Sequence, residues 1–141
     1  MMIRESRLYL PVQRHLQSDF EVKGEVKIGS KVVDIYAVSK TGTDSLAVEL
    51  KVKDWKRALR QAATYQVFAD LSFVALHRSQ VSCALRHSEL FNELGVGLLS
   101  IKRDVRVEIP SRQSDCVNKL VVDQVRQQLF SGEERLNRGA Y

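Results

Sequence analysis

Asp34 stands fifteen residues before Glu49, and Lys51 follows two positions later, within the run KVVDIYAVSKTGTDSLAVELKVK over residues 31–53. Side chains alternate between faces in an extended strand, so Glu49 and Lys51 point the same way, with Ala47 and Lys53 on their face. Residues 39–44 have the Gly and Thr content of a short hairpin turn. Closed symmetrically about Thr41 and Gly42, that hairpin pairs residues whose numbers sum to 83 and sets Asp34 across from Glu49. Their Cβ atoms are then expected roughly 5 Å apart. Two carboxylates this close repel unless one keeps its proton or a divalent cation lies between them. The neighbouring lysine adds a positive charge for a phosphate oxygen or a hydroxide. The chemistry expected of the trio is divalent-metal phosphodiester hydrolysis.

One strand earlier, residues 19–28 alternate, with Phe20, Val22, Val26 and Ile28 on one face and Glu21, Lys23, Glu25 and Lys27 on the other. Gly29-Ser30 carries the Gly-first signal of a type II′ turn. That turn pairs Ile28 with Lys31 and Glu25 with Asp34. Glu25, Asp34 and Glu49 are therefore expected in one row across three antiparallel strands. A slip of one residue would send a whole strand to the wrong face.

The surrounding elements follow from periodicity. Residues 4–17 read as a helix with Leu8, Val12 and Leu16 inward, and Pro11 as a kink or a marker of its true start. Strands are predicted at 19–28, 31–38 and 45–53, then a helix from Trp55 to about Ala69 capped by Asp54. LSFVAL (71–76) reads as a buried strand, 80–94 as a helix stopped by Gly95, and 97–102 and 105–109 as strands. Residues 114–130 read as a last helix with Val117, Leu120, Val121, Val125 and Leu129 inward. The order αβββαβαββα implies an α/β domain on a mixed sheet, one domain over residues 1–141. Its core spans 4–76, an αββα extension 77–130, and a polar tail 131–141.

No stretch of about 18 apolar residues occurs, and the N-terminal MMIRESRLYL lacks an apolar signal region. A soluble, cytoplasmic protein with no membrane partner is expected. Cys83 and Cys116 lack metal-ligand spacing and are expected as free thiols. The net charge of +5 favours a polyanionic partner. Lys53, Lys56, Arg57 and Arg60 cluster at the start of the helix that follows the proposed site.

With these residues assembled, the chain resembles the PD-(D/E)XK nuclease superfamily, whose restriction-endonuclease-like fold has an αβββαβ core and a mixed central sheet flanked by helices. Residues 4–76 match that order. Asp34 with Glu49-Leu50-Lys51 looks like the family's acid followed by Glu-X-Lys. Gln61 to Tyr65 is similar to the QxxxY element of the RecB-like branch. The stretch from Glu5 to Val38 also looks like a bacterial group of uncharacterised phosphodiesterases in this superfamily. Val33 stands where the motif string has proline, and residues 77–141 match no motif.

The resemblance implies Mg²⁺ or Mn²⁺ held by Asp34, Glu49 and the Leu50 carbonyl, with Glu5 or Glu25 as a third acid. Lys51 is then expected to orient the attacking water. Gln61 is expected to hold a water or a phosphate. Lys53, Lys56, Arg57, Arg60 and Tyr65 are expected to meet the nucleic acid, through phosphate contacts that add affinity without sequence readout. The expected function is a metal-dependent nuclease acting on DNA, whether duplex, single-stranded or branched, and a homodimer if both strands are cut. The alternatives are a catalytically silent nucleic-acid-binding module of the same fold and a structural partner protein. Trp55 is read as a core residue before a base-stacking one.

Overall fold

The computed structural model describes residues 5–42 and 44–139, with side chains described through residue 130. Helix α1 (Ser6–Leu16) turns Leu8, Val12 and Leu16 inward at the predicted spacing, and Pro11 lies inside it without ending it. Strands β1 (Phe20–Ile28), β2 (Lys31–Ser39) and β3 (Ser45–Lys51) form an antiparallel meander. Helix α2 (Trp55–Thr64) then crosses to β4 (Leu71–His77), parallel to β3. Two short helices, α3 (Val81–Leu85) and α4 (Ser88–Leu94), lead to β5 (Gly97–Ile101), parallel to β4. β6 (Val105–Ile109) returns antiparallel, and α5 runs Lys119–Gly139. The strands lie side by side in chain order, a mixed six-stranded sheet.

Each face of the sheet is covered by helices, and so carries its own core. On one face α1 packs Leu8, Val12 and Leu16 over Ile35, Ala37, Leu46, Val48 and Leu50. On the other, Ala58, Leu59 and Ala62 of α2, Phe91 of α4 and Val125 of α5 cover Tyr36, Val38, Ala47, Val74 and Leu98. This two-sided burial explains why LSFVAL reads as a continuous apolar run. Among the described residues no helix is long and apolar enough to cross a membrane. Cys83 and Cys116 are free and exposed.

Both predicted hairpin registers hold in the ladders: Ile28 faces Lys31, and Ile35 faces Val48. Gly29, at φ +62°, takes the left-handed first position of the β1–β2 turn. The predicted faces of β1 need correction. Phe20 and Val22 pack on the α1 side, whereas Val26 and Ile28 pack on the α2 side. The switch lies at Glu25, whose φ of +51° turns the strand over by one residue. β2 switches opposite it, with Val33 on the α2 side and Ile35 on the α1 side. Because both strands turn over together, the register on either side is unchanged: Gly24 still faces Ile35 and Val26 still faces Val33.

Other boundaries also move. β3 ends at Lys51, so Lys53 lies beyond the strand and does not share its face. α2 ends at Thr64 and tightens into a 3₁₀ turn, Tyr65–Val67. The helix predicted over 80–94 breaks at Arg86 and His87, where the His87 ring stacks on Trp55 at 4.9 Å between centroids. Gly95 stops α4 at φ +74° as predicted. The last helix starts at Lys119 because Asn118 caps it, its side-chain oxygen accepting from Leu120 N at 3.1 Å. Val121, Val125 and Leu129 pack inward as expected, whereas Leu120 is 74% exposed, Val122 is buried, and Val117 lies before the helix.

Candidate active site

The β2–β3 ladder runs from Val38 and Ser45 to Ile35 and Val48. One step further along the same register come Asp34 and Glu49, where the strands have parted. The Leu50 amide, left without a strand partner, donates to Asp34 Oδ2 at 2.8 Å. Asp34 is half-buried there, and its carboxylate is held by this bond at the mouth of the gap.

Glu49 is only 5% exposed. Its Oε2 accepts a short hydrogen bond from the Tyr65 hydroxyl. Burial pushes the Glu49 carboxyl up from its ordinary 4.5 to about 7, the Tyr65 bond opposes this, and the nearby Asp34 charge adds to it. Lys51 pulls weakly the other way. Burial and then Glu49 itself raise the Tyr65 hydroxyl, which therefore stays a protonated donor throughout the physiological range. Tyr65 is 3% exposed. It is thus a support for Glu49, not the nucleic-acid contact expected of it.

Lys51 Nζ lies 3.8 Å from Glu5 Oε1, with the two side chains 23% and 50% exposed. At that distance and exposure the pair contributes little stability, which leaves the ammonium available to a stronger anion. Gln61, one helical turn before Tyr65, has its Oε1 shut off from solvent with no hydrogen-bond donor. A cavity of about 560 Å³ opens beside these groups, lined by Glu5, Ser6, Tyr9, Gly24, Glu25, Asp34 and Leu50.

Asp34, Glu49, Leu50, Lys51, Glu5 and Glu25 are thus gathered at one end of the sheet. The acids do not close into a compact group: among the described residues no three of His, Cys, Asp and Glu stand close enough to hold a metal ion together. Glu49 is paired with Asp34, Glu5 leans to Lys51, and Glu25, carried outward by its left-handed backbone, faces the cavity from an exposed position. The expected single row of Glu25, Asp34 and Glu49 is therefore interrupted at Glu25.

Lys53, Lys56, Arg57 and Arg60 are all exposed. Lys53 and Lys56 line a second cavity of about 320 Å³ at the end of β3, together with Trp55, Gln80 and Cys83. Asp54 caps α2 by accepting from Arg57 N at 3.3 Å, which orients the first turn carrying these cations. Trp55 packs on His87 and on Phe91 at 5.9 Å, as a core residue.

Two groups carry roles that the sequence pattern did not single out. Tyr9 lines the cavity four residues after Glu5, a spacing that shares a helix face and was a usable signal. Asp70, 1% exposed, gathers Ser45 N at 2.9 Å, Ser45 Oγ at 3.0 Å and Lys119 Nζ at 3.4 Å. It fixes the start of β3 against β4 and α5, at the end of the strand away from Glu49. An isolated aspartate before an apolar run carries no mark of that role.

No protein-family model matches the sequence, and no curated protein matches it. Among solved structures, a Silicibacter pomeroyi protein of unknown function is similar, with a TM-score of 0.73 and 17% identity over 99% of this chain and 93% of that one. A repair endonuclease from Pyrococcus abyssi is similar with a TM-score of 0.51 and 16% identity, over 73% of this chain. The match spans 49% of that enzyme, about half its length. At such identities the likeness establishes the fold alone. The chain has a restriction-endonuclease-like α/β fold, a mixed sheet flanked by helices.

Proposed function

We propose that this chain is a metal-dependent nuclease that hydrolyses DNA phosphodiester bonds at Asp34, Glu49 and Lys51. One observation carries this: a buried carboxyl, Glu49, and the half-buried Asp34 stand beside a partly exposed lysine where β2 and β3 part, at the edge of a cavity. A structural ion pair has no need of a buried acid whose proton affinity is raised by burial and by a second acid beside it. The fold likeness to a repair endonuclease supports nucleic acid as the partner.

The donors suit a hard divalent ion. Asp34 and Glu49 offer carboxylate oxygens with lone pairs to spare, and Leu50 offers a backbone carbonyl, an oxygen set that fits hydrated Mg²⁺ or Mn²⁺. The unsatisfied Gln61 Oε1 adds a neutral acceptor on the helix face that carries Tyr65. When bound, such an ion supplies positive charge against the charge developing on the scissile phosphate. Lys51 holds a phosphate oxygen or the attacking water from the other side. Tyr65 keeps Glu49 oriented, and Lys53, Lys56, Arg57 and Arg60 receive the flanking phosphates.

The test is cleavage of labelled single-stranded, duplex and branched DNA with Mg²⁺ or Mn²⁺. Lys51→Ala and Asp34→Ala are expected to abolish cleavage while DNA affinity is largely kept, since both act on the transition state. Lys51→Ala is the cleaner variant, because Asp34→Ala also strips the Leu50 amide of its acceptor. The silent-module reading is favoured by the bond from Tyr65 to Glu49 and by the absence of a compact three-acid group among the described residues. DNA binding without cleavage of any substrate in either metal would select it.

A further inference from the structure

Tyr9 and Glu5 share one face of α1 at i and i+4. Tyr9 is half-buried, and its ring borders the cavity that also exposes Asp34, Glu25 and Leu50. The ring is seated against β1: a Cβ on Gly24 would stand 2.6 Å from Tyr9 Cε2 and 2.9 Å from its hydroxyl oxygen. Only glycine leaves room for the aromatic ring there. The next residue, Glu25, holds a φ of +51°, a conformation that non-glycine residues keep only where their surroundings impose it. A glycine that admits an aromatic ring, followed by a left-handed residue that opens the strand beside it, makes this wall of the cavity a built feature.

The wall is also acidic. Among the described residues Glu5, Glu25 and Asp34 line the cavity and no lysine or arginine does, so their charge disfavours a phosphate there. The cations lie past the end of β3, at Lys53 and Lys56 beside the second cavity and at Arg57 and Arg60 on α2. The two cavities reach the end of β3 at Leu50 and, just past the strand, at Val52, on either side of Lys51. A strand crossing there has its flanking phosphates on the basic side and an uncharged part to place on the acidic side. About 560 Å³ is within the range of roughly 300–1,000 Å³ that encloses small organic ligands.

We propose, resting on the nuclease reading above, that this cavity receives an unpaired nucleobase stacked on Tyr9 next to the scissile phosphate. The substrate is then single-stranded, or unpaired at the point of cleavage. A base inside an intact duplex enters only if it is flipped out of its stack, a cost that an already unpaired base does not carry.

The probe is a set of single-stranded DNA oligomers, each with 2-aminopurine at one interior position, bound to protein carrying Glu49→Gln so that no cleavage occurs. Fluorescence is expected to be quenched on binding at one register, and not for the blunt duplex of the same sequence. Tyr9→Leu in that background is expected to lose the quench and to weaken single-strand binding on the order of tenfold or more. Tyr9→Phe keeps both. Gly24→Ala, which drives the ring from its seat, acts like Tyr9→Leu and serves if that variant folds poorly. In active protein Tyr9→Leu raises KM for single strands more than it lowers kcat. Undiminished quench and affinity in Tyr9→Leu, or blunt duplex bound and cut as readily as single strand, overturns the proposal. An intact Tyr9-dependent quench with no cleavage of any DNA by the unaltered protein overturns the catalytic reading alone.

Discussion

Glu49→Gln is expected to make the metal-free protein more stable above neutral pH while removing any nuclease activity. The folded protein holds the Glu49 proton to about pH 7, whereas the unfolded chain releases it near 4.5. Folding therefore binds a proton between these values, and stability falls as pH rises through that window. Below it both states are protonated and nothing is lost, and above it the full loss is present and constant. With each tenfold change in proton affinity worth about 1.4 kcal/mol, the ionised carboxylate weakens the fold by about 3 kcal/mol at pH 8. Glutamine keeps the shape, accepts from Tyr65 and presents an amide to Asp34 without that charge. For a chain of this size the difference corresponds to about 10 °C in melting temperature. The assay is thermal melting of both proteins in chelator from pH 4.5 to 8.5, read as the difference between them. The two are expected to melt alike at the acid end and to diverge up to pH 7, with Glu49→Gln the higher. A difference that stays constant across the range would refute a desolvated Glu49 carboxyl. Tyr65→Phe removes the bond that opposes the rise, so the window is expected to move to higher pH.

Millimolar Mg²⁺ or Mn²⁺ is expected to raise the melting temperature of the unaltered protein at pH 8 and not that of Glu49→Gln, because an ion bound only by the native donors stabilises by mass action; equal shifts in both place the ion elsewhere. Arg57→Ala and Arg60→Ala are expected to weaken DNA binding and to flatten its salt dependence by about one unit of log–log slope for each phosphate that is no longer neutralised. Unchanged slopes in a salt titration would remove α2 from the interface. Asp70→Ala is expected to destabilise the fold by about 1–3 kcal/mol, since the buried Ser45 amide loses its acceptor. Chemical denaturation measures this, and a change below half a kilocalorie would show that water replaces the carboxylate.

The meander was legible because its turns announce themselves. Gly29-Ser30 and the Thr41-Gly42 tip each define a register, and Ile28 facing Lys31 and Ile35 facing Val48 follow from them. Asp34, Glu49 and Lys51 came with that register. Glu25 was harder, because a left-handed glutamate has the same composition as an extended one, and alternation on either side hides the turn-over between them. Periodicity also ran through two real interruptions. His87 breaks the α3–α4 run where its ring meets Trp55, a pairing of distant residues that no local window contains. Asn118 starts α5 late, and its cap chemistry was visible in sequence although the apolar spacing upstream obscured it. The Tyr65 hydroxyl on Glu49 depends on how α2 docks over β3, which neither element specifies alone.

The turn-over at Glu25 has a further consequence at the rim of the sheet. β1 is an outer strand of nine residues, long enough for its unpaired amides and carbonyls to template the strand of another molecule. The left-handed residue in its middle divides that rim into two short pieces facing different ways, and exposed Glu21 and Lys27 mark one on each side. At the opposite rim β6 has only five residues and a bulge against Leu98 and Leu99. Neither border offers a long flat ladder, so the sheet resists growth into fibrils or edge-joined aggregates. At β1 the distortion that opens the cavity is also the one that interrupts the ladder, so a change that straightened residues 24–26 would close the cavity and make the protein self-adhesive together.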